Sequence, residues 1–315
     1  MTSPKKPLKM RDVHQEKITY TALSAFRNCR QKYKHRYVDE LVLDRPKGNA
    51  LWIGTLFHEG IERFYRGESM TDIVSYVASQ KDDLGDPDRW LRVNAMLIAY
   101  ADKYKDEQLE IIALEDEFEV PIINPATGKK STTMVLGGKI DGLVKCDDGA
   151  FAIFEHKTTA VPIQNYIKTL WSDFQTRLYC DAYSRYKGIK VNRAVFNIIK
   201  RSQRRRKRHE ADDDFLIRLI EDTEFYRQEL IFGKGMLGEI KTQLWDLKDN
   251  MQQARRENRW YKNESQCRSF FGICDYYDLC SSANNPIVRN SMYMKRERHE
   301  ELGEGNYVTD KTNAT

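Results

Sequence analysis

Three ionisable side chains occupy positions in one predicted pair of β-strands where strands usually carry apolar residues. Residues 135–144 and 151–154 are rich in apolar residues, and the turn-forming sequence Asp-Asp-Gly at residues 147–149 separates them. The three ionisable residues are Asp141, Glu155 and Lys157. Two carboxylates and a lysine at a single place have the chemistry to hold a divalent cation and to activate a water molecule.

The length of the turn decides whether these side chains meet. A two-residue turn places Asp141 opposite His156 and sends Asp141 and Glu155 to opposite faces of the hairpin. A three-residue loop of residues 147–149, whose last residue is a left-handed glycine, places Asp141 opposite Glu155 instead. Lys157 then shares their face, because strand side chains repeat every two residues. We predict the three-residue loop. The alternative without a catalytic role is a surface hairpin with an ordinary ion pair.

Length and composition are those of a protein with a substantial core. The chain has 315 residues, 40% of them hydrophobic and 31% charged, and a net charge of +5, which is enough for one large domain. No run approaches the roughly 18 apolar residues of a membrane-spanning helix, and the N-terminus lacks the apolar stretch of a secretory signal. We therefore expect an intracellular protein without a membrane partner, whose six cysteines do not form disulfides.

Helical patterns precede and follow the predicted hairpin. Thr19 or Thr21 is a suitable cap for a first helix that continues past Cys29, and His58 lies in a second helical stretch after a turn at residues 46–48. Further helices are expected at 70–108, 163–185 and 213–257, and further strands at 111–123 and 191–199. This order predicts an α/β fold whose mixed sheet is flanked by helices.

Two further features carry little meaning by themselves. His58 lies among apolar residues, where a histidine is more often part of the core than a metal ligand. Gln175 and Tyr179 are four residues apart and share one helix face, which is also common on ordinary helices. Neither feature alone therefore predicts a function.

Taken together, the motifs resemble a known family. Asp141 and the Glu-x-Lys of residues 155–157 on neighbouring strands resemble the PD-(D/E)XK nuclease superfamily, with Ile140 at the place where the family name has proline. The Gly-x-x-x-His of residues 54–58 and the Gln-x-x-x-Tyr of residues 175–179 are similar to motifs of the RecB-like branch of that superfamily.

The resemblance implies a restriction-endonuclease-like core and hydrolysis of phosphodiester bonds in DNA that is single-stranded or has free ends. It implies that Mg²⁺ or Mn²⁺ is held by His58, Asp141, Glu155 and the main-chain carbonyl of His156. It assigns catalytic roles to Asp141, Glu155, Lys157, Gln175 and Tyr179. In these enzymes the lysine helps to orient the attacking water and offsets developing negative charge, while the glutamine and tyrosine hold the site or the strand.

Three cysteines lie close together near the end of the chain, in a C-x₆-C-x₅-C pattern. They are Cys267, Cys274 and Cys280. Such density in an intracellular chain suggests a metal site, but the spacing differs from the C-x₂-C of most zinc folds. Cys29 is the candidate for a fourth ligand, because Cys146 and Cys180 lie close to the central hairpin and the helix after it. A lone cysteine such as Cys29 is otherwise usually a small buried residue.

One distant cysteine followed by this trio resembles the iron–sulfur RecB-like nucleases, which include the AddB nuclease domain, the small CRISPR-associated exonucleases and phage relatives. The resemblance implies that a 4Fe–4S cluster is bound by Cys29, Cys267, Cys274 and Cys280. It predicts a metal-dependent exonuclease of DNA recombination, repair or replication, in the cytoplasm of a bacterial host if the chain is of phage or bacterial origin. The alternatives are a non-catalytic DNA-binding subunit stapled by a metal cluster and a zinc-bound nucleic-acid module.

Seven basic residues lie between Lys200 and Arg208, directly after the strand at 191–199. Such a run is usually a solvated loop, and a localisation signal is another alternative. Beside a nuclease site, a loop that contacts DNA phosphates is an equally good prediction. The predicted contacts are Arg204, Arg205, Arg206, Lys207 and Arg208.

These predictions divide the chain into a flexible N-terminus, a nuclease domain and a polar C-terminal tail. The nuclease domain comprises an N-terminal helical part (17–110), a catalytic core (111–200), a second helical part (213–257) and a cluster-binding part (258–285). The flanking segments are residues 1–16 and 286–315.

Overall fold

The structure is a computed structural model that describes residues 15–45, 48–82, 85–269, 272–296, 298–299 and 302. Three predictions fall wholly or partly outside these residues. They are the flexible N-terminus before residue 15, the first two residues of the turn at 46–48, and most of the C-terminal tail beyond residue 296.

The strands form one main sheet and two short pairs. In the described part of the chain they are β1 (Glu16–Ile18), β2 (Leu41–Leu43), β3 (Glu110–Ile123), β4 (Lys130–Lys145), β5 (Phe151–Thr159), β6 (Val191–Lys200), β7 (Glu224–Ile231), β8 (Arg268–Ser269), β9 (Gly272–Ile273) and β10 (Tyr293–Lys295). The main sheet has six strands in the order β1-β4-β5-β6-β7, with β3 also paired to β4. Parallel and antiparallel pairs both occur in it, so the predicted α/β fold with a mixed sheet is confirmed.

The helices pack around this sheet. Those of the described residues are α1 (Tyr20–Asn28), α2 (Arg30–Tyr33), α3 (Asn49–Tyr65), α4 (Met70–Ser79), α5 (Arg89–Tyr104), α6 (Ile163–Ile167), α7 (Phe174–Lys187), α8 (Asp212–Glu221), α9 (Lys234–Arg256), α10 (Tyr277–Ser281) and α11 (Pro286–Met292). A π-helical turn at Lys34–Val38 continues α2, and short 3₁₀ turns lie at Leu170–Ser172 and Glu264–Gln266.

Strand β4 pairs with three other strands and thereby sets the arrangement of the sheet. Strand β3 pairs antiparallel with it from end to end. On the other edge, β1 pairs with residues 134–136 and β5 pairs with residues 142–145. Residues 137–141 therefore lie between two partners, and Asp141 is the last residue of this interval.

The two largest hydrophobic cores among the described residues hold most of the long helices to the sheet. The larger core packs α1, α7 and α9 against β3, β4 and β6. The second core is formed by α3, α4 and α5 together with Ile199 of β6. No helix in the described part of the chain combines the length and the apolar character needed to cross a membrane.

Two predicted helices are interrupted. The first ends at Cys29, whose backbone is extended (φ −161°, ψ 114°), and α2 begins at the next residue. The helix predicted at 163–185 is broken at Asp173, because the Asp173 side chain accepts a hydrogen bond from the Thr176 amide at 2.7 Å and caps α7. The prediction of continuous helices at these places was wrong.

Two C-terminal regions also differ from the prediction. Residues 213–257 were expected to be helical throughout, but β7 lies between α8 and α9 and pairs antiparallel with β6. In β7 Leu230 is buried and Ile231 is exposed, which is the alternation of an edge strand. The expected polar tail begins with ordered elements, since α11 is followed by β10, which pairs with β2.

Candidate active site

The central hairpin has the predicted three-residue loop. The Cys146 amide donates to the Ala150 carbonyl at 2.8 Å, and Gly149 has a φ of +79°. The paired residues run from Lys145 opposite Phe151 to Gly142 opposite Phe154. The next pair in this register is Asp141 and Glu155, so the loop geometry is confirmed.

Beyond Gly142 the ladder of backbone pairs between the two strands ends, and side-chain contacts replace it. The Asp141 carboxylate accepts a hydrogen bond from the His156 amide at 2.8 Å. Strand β5 continues its parallel pairing with β6 through Thr159. The carboxylate of Asp141 therefore stands where a backbone carbonyl of β4 would otherwise pair, and its position is set by the main chain of β5.

Glu155 and Lys157 form a close ion pair on the same face. Lys157 Nζ lies 2.5 Å from Glu155 Oε1, and the Glu155 side chain is almost fully buried. Lys157 also donates to Gln175 Oε1 of α7 at 3.5 Å. The structure thus brings the predicted lysine, one predicted carboxylate and the predicted glutamine into contact.

His58 comes from α3, on a different part of the chain, and reaches the same place. His58 Nδ1 lies 3.4 Å from Asp141 Oδ2. A Cβ added at Gly54, one turn earlier, would lie 3.8 Å from Thr158 Oγ1, an ordinary contact distance. Close packing of α3 on β5 therefore does not by itself require glycine at position 54.

The charges of these groups are strongly linked. Burial disfavours a charged Asp141, but the imidazoles of His58 and His156 hold its pKa well below the usual value. Burial would lower the pKa of His58, and the Asp141 carboxylate raises it to about 9. Burial raises the pKa of Glu155 to about 7, against the opposing charge of Lys157. Burial would lower the pKa of Lys157, but the Glu155 carboxylate raises it. At neutral pH the site therefore holds an anionic Asp141 and a cationic Lys157.

A further carboxylate at this place was missed by the sequence analysis. One ligand atom from each of three side chains lies within 4.8 Å of the other two, and these residues are His58, Glu115 and Asp141. Glu115 belongs to β3, 26 positions before Asp141, and Lys139 Nζ lies 2.6 Å from its carboxylate. Only the long-range pairing of β3 with β4 brings Glu115 here, so local sequence patterns give no signal for it.

Tyr179 lies in the core beside the site. Its side chain is buried and packs edge-to-face on Phe118, with ring centroids 5.1 Å apart. A Cβ added at Gly138 would come within 3.0 Å of the Tyr179 ring and 2.5 Å of the Phe118 ring. Tyr179 therefore helps to position β4, two residues before the strand reaches Ile140.

The basic run begins where β5 and β6 end, since the Arg201 amide donates to the Thr159 carbonyl at 3.0 Å. Part of its charge is compensated within the protein. Arg204 pairs with Asp222 at 3.1 Å, and Arg206 pairs with both Asp88 and Asp212. Within the run at residues 200–208, all of which the structure describes, the exposed basic side chains without an ion pair are those of Arg205, Lys207 and Arg208.

The break at Cys29 brings its thiol to the C-terminal cysteine segment. The Asn263 amide donates to Cys29 Sγ at 3.4 Å, and the Gln31 amide donates to the Tyr261 carbonyl at 3.2 Å. Lys262 Nζ donates to the Cys280 carbonyl at 2.8 Å. The N-terminal helices are therefore packed beside residues 261–263, and Lys262 links Cys280 to the same place.

The four predicted cysteines influence one another electrostatically. The pKa of Cys280 is raised to about 11, mainly by burial, against Lys262 and with added contributions from the other three thiols. No three of these sulfurs among the described residues lie within 4.8 Å of one another. Cys180 is separate from the group, because it is buried in the core and its thiol donates to the Arg193 carbonyl.

The sequence profile of the PD-(D/E)XK nuclease superfamily matches residues 17–281 of this chain. The protein therefore belongs to that superfamily. Its members act on nucleic acids, so the superfamily defines the protein as a nuclease and the groups around Asp141 as its candidate active site. No protein in the curated set matches the sequence.

Solved structures show distant similarity. One is a protein of Eubacterium rectale described as a candidate exonuclease, with 12% identity and a TM-score of 0.44, covering 97% of this chain and 100% of that one. Another is LHK-Exo in complex with dAMP, with 11% identity and a TM-score of 0.26, covering 66% of this chain and 97% of that one.

Proposed function

We propose that this protein is a divalent-metal-dependent exonuclease of the iron–sulfur RecB-like type, which hydrolyses phosphodiester bonds from ends of single-stranded DNA. The observation that carries the proposal is that Asp141 and the Glu155–Lys157 ion pair lie on two adjacent strands, close enough for Asp141 to influence Glu155 electrostatically, with His58 against Asp141. DNA recombination, repair or replication is the process in which such an activity is used.

The donor set fits Mg²⁺ or Mn²⁺. Carboxylate oxygens and an imidazole nitrogen are suitable ligands for Mn²⁺, and carboxylates for Mg²⁺. The residues that would hold the ion are His58, Asp141, Glu155 and the main-chain carbonyl of His156. When bound, such an ion lowers the pKa of its water and neutralises charge on the scissile phosphate.

The other residues of the site orient the reacting groups and stabilise charge. The His156 amide and the His58 imidazole keep the Asp141 carboxylate ionised and fixed. Lys157 is a partly buried cation, so it is able to orient the attacking water and to offset negative charge that develops on the phosphate. Gln175 accepts a hydrogen bond from Lys157 and restricts the rotation of the lysine side chain. Tyr179 lies in the core and supports β4.

The cysteine region fits an iron–sulfur cluster by its donor chemistry. A 4Fe–4S cluster takes four thiolates, one for each iron. Sulfurs that bind different irons stand farther apart than the ligands of a single ion. The finding that no three of the described cysteine sulfurs lie within 4.8 Å of one another is therefore compatible with this role. The contacts between Asn263 and Cys29 and between Lys262 and Cys280 support the assignment of Cys29 to the same centre as the C-terminal trio.

The exonuclease assignment is tested with substrates that differ only in their ends. Linear single-stranded DNA should be degraded in Mg²⁺ or Mn²⁺, whereas the same sequence closed into a circle should resist. Duplex DNA with blunt ends serves as the second comparison and should be degraded more slowly. Equal cleavage of the circle and the linear strand would contradict the exonuclease assignment while leaving the nuclease assignment in place.

Exposed residues of the basic run are expected to contact DNA phosphates. Replacing Arg205 and Arg208 together by glutamine should weaken binding to single strands of every sequence alike. The slope of log affinity against log salt should fall by up to ~0.7 for each lost contact. Arg206→Gln is the matched control, because its guanidinium is held by Asp88 and Asp212. An unchanged slope in the double variant would assign the run to an ordinary solvated loop.

A further inference from the structure

Glu115 lies directly across the sheet from Asp141. Leu114 pairs with Gly142 and Asp116 pairs with Ile140, and the register does not change between these pairs. Glu115 is therefore the residue opposite Asp141 in the pairing of β3 with β4. The two residues are neighbours because of the β3–β4 register and not because of a flexible loop.

The backbone at Glu115 is unusual for a strand. Its φ is +49°, in the left-handed region that residues with a Cβ rarely adopt, and Glu115 lies in the middle of β3. Such a conformation costs free energy and is characteristic of functional sites. The extended conformation of a regular strand would place the side chain differently, so this local distortion determines where the carboxylate lies.

The distortion brings the Glu115 carboxylate to a place where two metal-ligating groups already meet. One donor atom each of His58, Glu115 and Asp141 lies within 4.8 Å of the others. Glu155 is not part of this group and is paired with Lys157 at 2.5 Å. Lys139 Nζ lies 2.6 Å from Glu115 and balances its charge.

We propose that Glu115 is a ligand for the divalent cation, beside His58 and Asp141, and that Lys139 is its counter-ion when no cation is bound. The inference rests on the proposed function, since it assigns a further residue to the same metal site. Binding of a cation exchanges the Lys139 ammonium for the metal as the partner of Glu115. Lys139 thereby tunes the affinity of the site without being a ligand.

The test measures metal affinity in the absence of DNA. Full-length wild type and Glu115→Gln are titrated with Mn²⁺, and the free ion is followed by electron paramagnetic resonance. Glu115→Gln should bind Mn²⁺ at least about tenfold more weakly, the lower end of what even an outer-shell partner contributes. Glu117→Gln is the matched control, because Glu117 is exposed on the same strand and lies opposite Lys139. It should change the affinity less than about twofold, the effect of one remote charge.

Two outcomes separate this inference from the proposed function. If the wild type binds no Mn²⁺, the proposed function fails. If the wild type binds Mn²⁺ and Glu115→Gln binds it as tightly as Glu117→Gln does, the role of Glu115 alone is overturned.

A second variant tests the strained backbone independently of charge. Glu115→Gly and Glu115→Gln both lack the carboxylate, but only glycine adopts a φ of +49° without a steric cost. Glu115→Gly should therefore melt about 2 °C or more above Glu115→Gln, while both bind Mn²⁺ weakly. Equal melting temperatures would contradict a strained conformation at this position.

Discussion

Replacing Lys157 by alanine is expected to lower the rate of DNA cleavage by at least ~10²-fold, the scale for removing one preorganised electrostatic group. The ammonium is held by Glu155 and Gln175, whereas Lys139 is paired with Glu115 and His58 lies against Asp141, so neither is placed to replace it. The fold and the affinity for DNA should be largely kept, because Glu155 has a raised pKa and takes up a proton when its partner is removed. The measurement is the single-turnover rate on end-labelled single-stranded DNA.

Lys145→Ala is the matched control for this change. Lys145 lies on β4, at the loop end of the same hairpin, and pairs with the exposed Glu110 at 3.1 Å. Its removal should leave the cleavage rate unchanged, since exposed ion pairs contribute little. Asp141→Ala and Glu155→Ala should lose activity as Lys157→Ala does. Wild-type rates in Lys157→Ala would show that the catalytic centre lies elsewhere.

The second large effect, a loss of bound iron and of stability, is expected when Cys29 is replaced. Protein purified without oxygen should be brown and contain about four irons per chain, and Cys29→Ser should lose most of this iron. Cys29 is separated from the next predicted ligand by more than two hundred residues, so a shared inorganic centre closes a very long loop of the unfolded chain. By analogy with a disulfide, that constraint stabilises the folded state by on the order of ~5 kcal/mol. Thermal unfolding and iron content should therefore change together.

The two remaining cysteines provide the controls. Cys146 directly follows β4 and Cys180 is buried in α7, so Cys146→Ser and Cys180→Ser should keep the iron. Replacing Cys267, Cys274 or Cys280 by serine should remove iron and lower stability as Cys29→Ser does. Zinc without iron in anaerobic protein, or a full complement of iron in Cys29→Ser, would contradict the cluster.

The parts of the fold that could be predicted from sequence are those that neighbouring residues determine. The loop at 147–149 follows from the need for a left-handed residue, which Gly149 supplies at φ +79°. The first helix begins after Thr19 because the Thr19 hydroxyl accepts from the Ala22 amide at 3.3 Å. With the loop known, strand alternation alone places Asp141, Glu155 and Lys157 on one face.

The parts that could not be predicted depend on distant segments. No glycine or proline surrounds Cys29, so nothing local predicts the break in the helix there, whereas the contact with Asn263 is made from the other end of the chain. The position of Glu115 depends on how β3 is registered against β4. The compensation of Arg204 and Arg206 depends on acidic residues of other elements. The cap at Asp173 is different, because a local capping signal was present there and was overlooked.

The most direct test of the central claim is a time course of cleavage of end-labelled single-stranded DNA by chelator-treated protein, before and after Mg²⁺ or Mn²⁺ is added. Wild type and Lys157→Ala are compared at equal fractions of bound DNA, so that chemistry is separated from binding. We predict no cleavage without the ion, rapid cleavage by the wild type after its addition, and at least ~10²-fold slower cleavage by Lys157→Ala. Cleavage by the wild type that needs no divalent ion, or equal rates for the two proteins, would contradict a metal-dependent nuclease site at Asp141, Glu155 and Lys157.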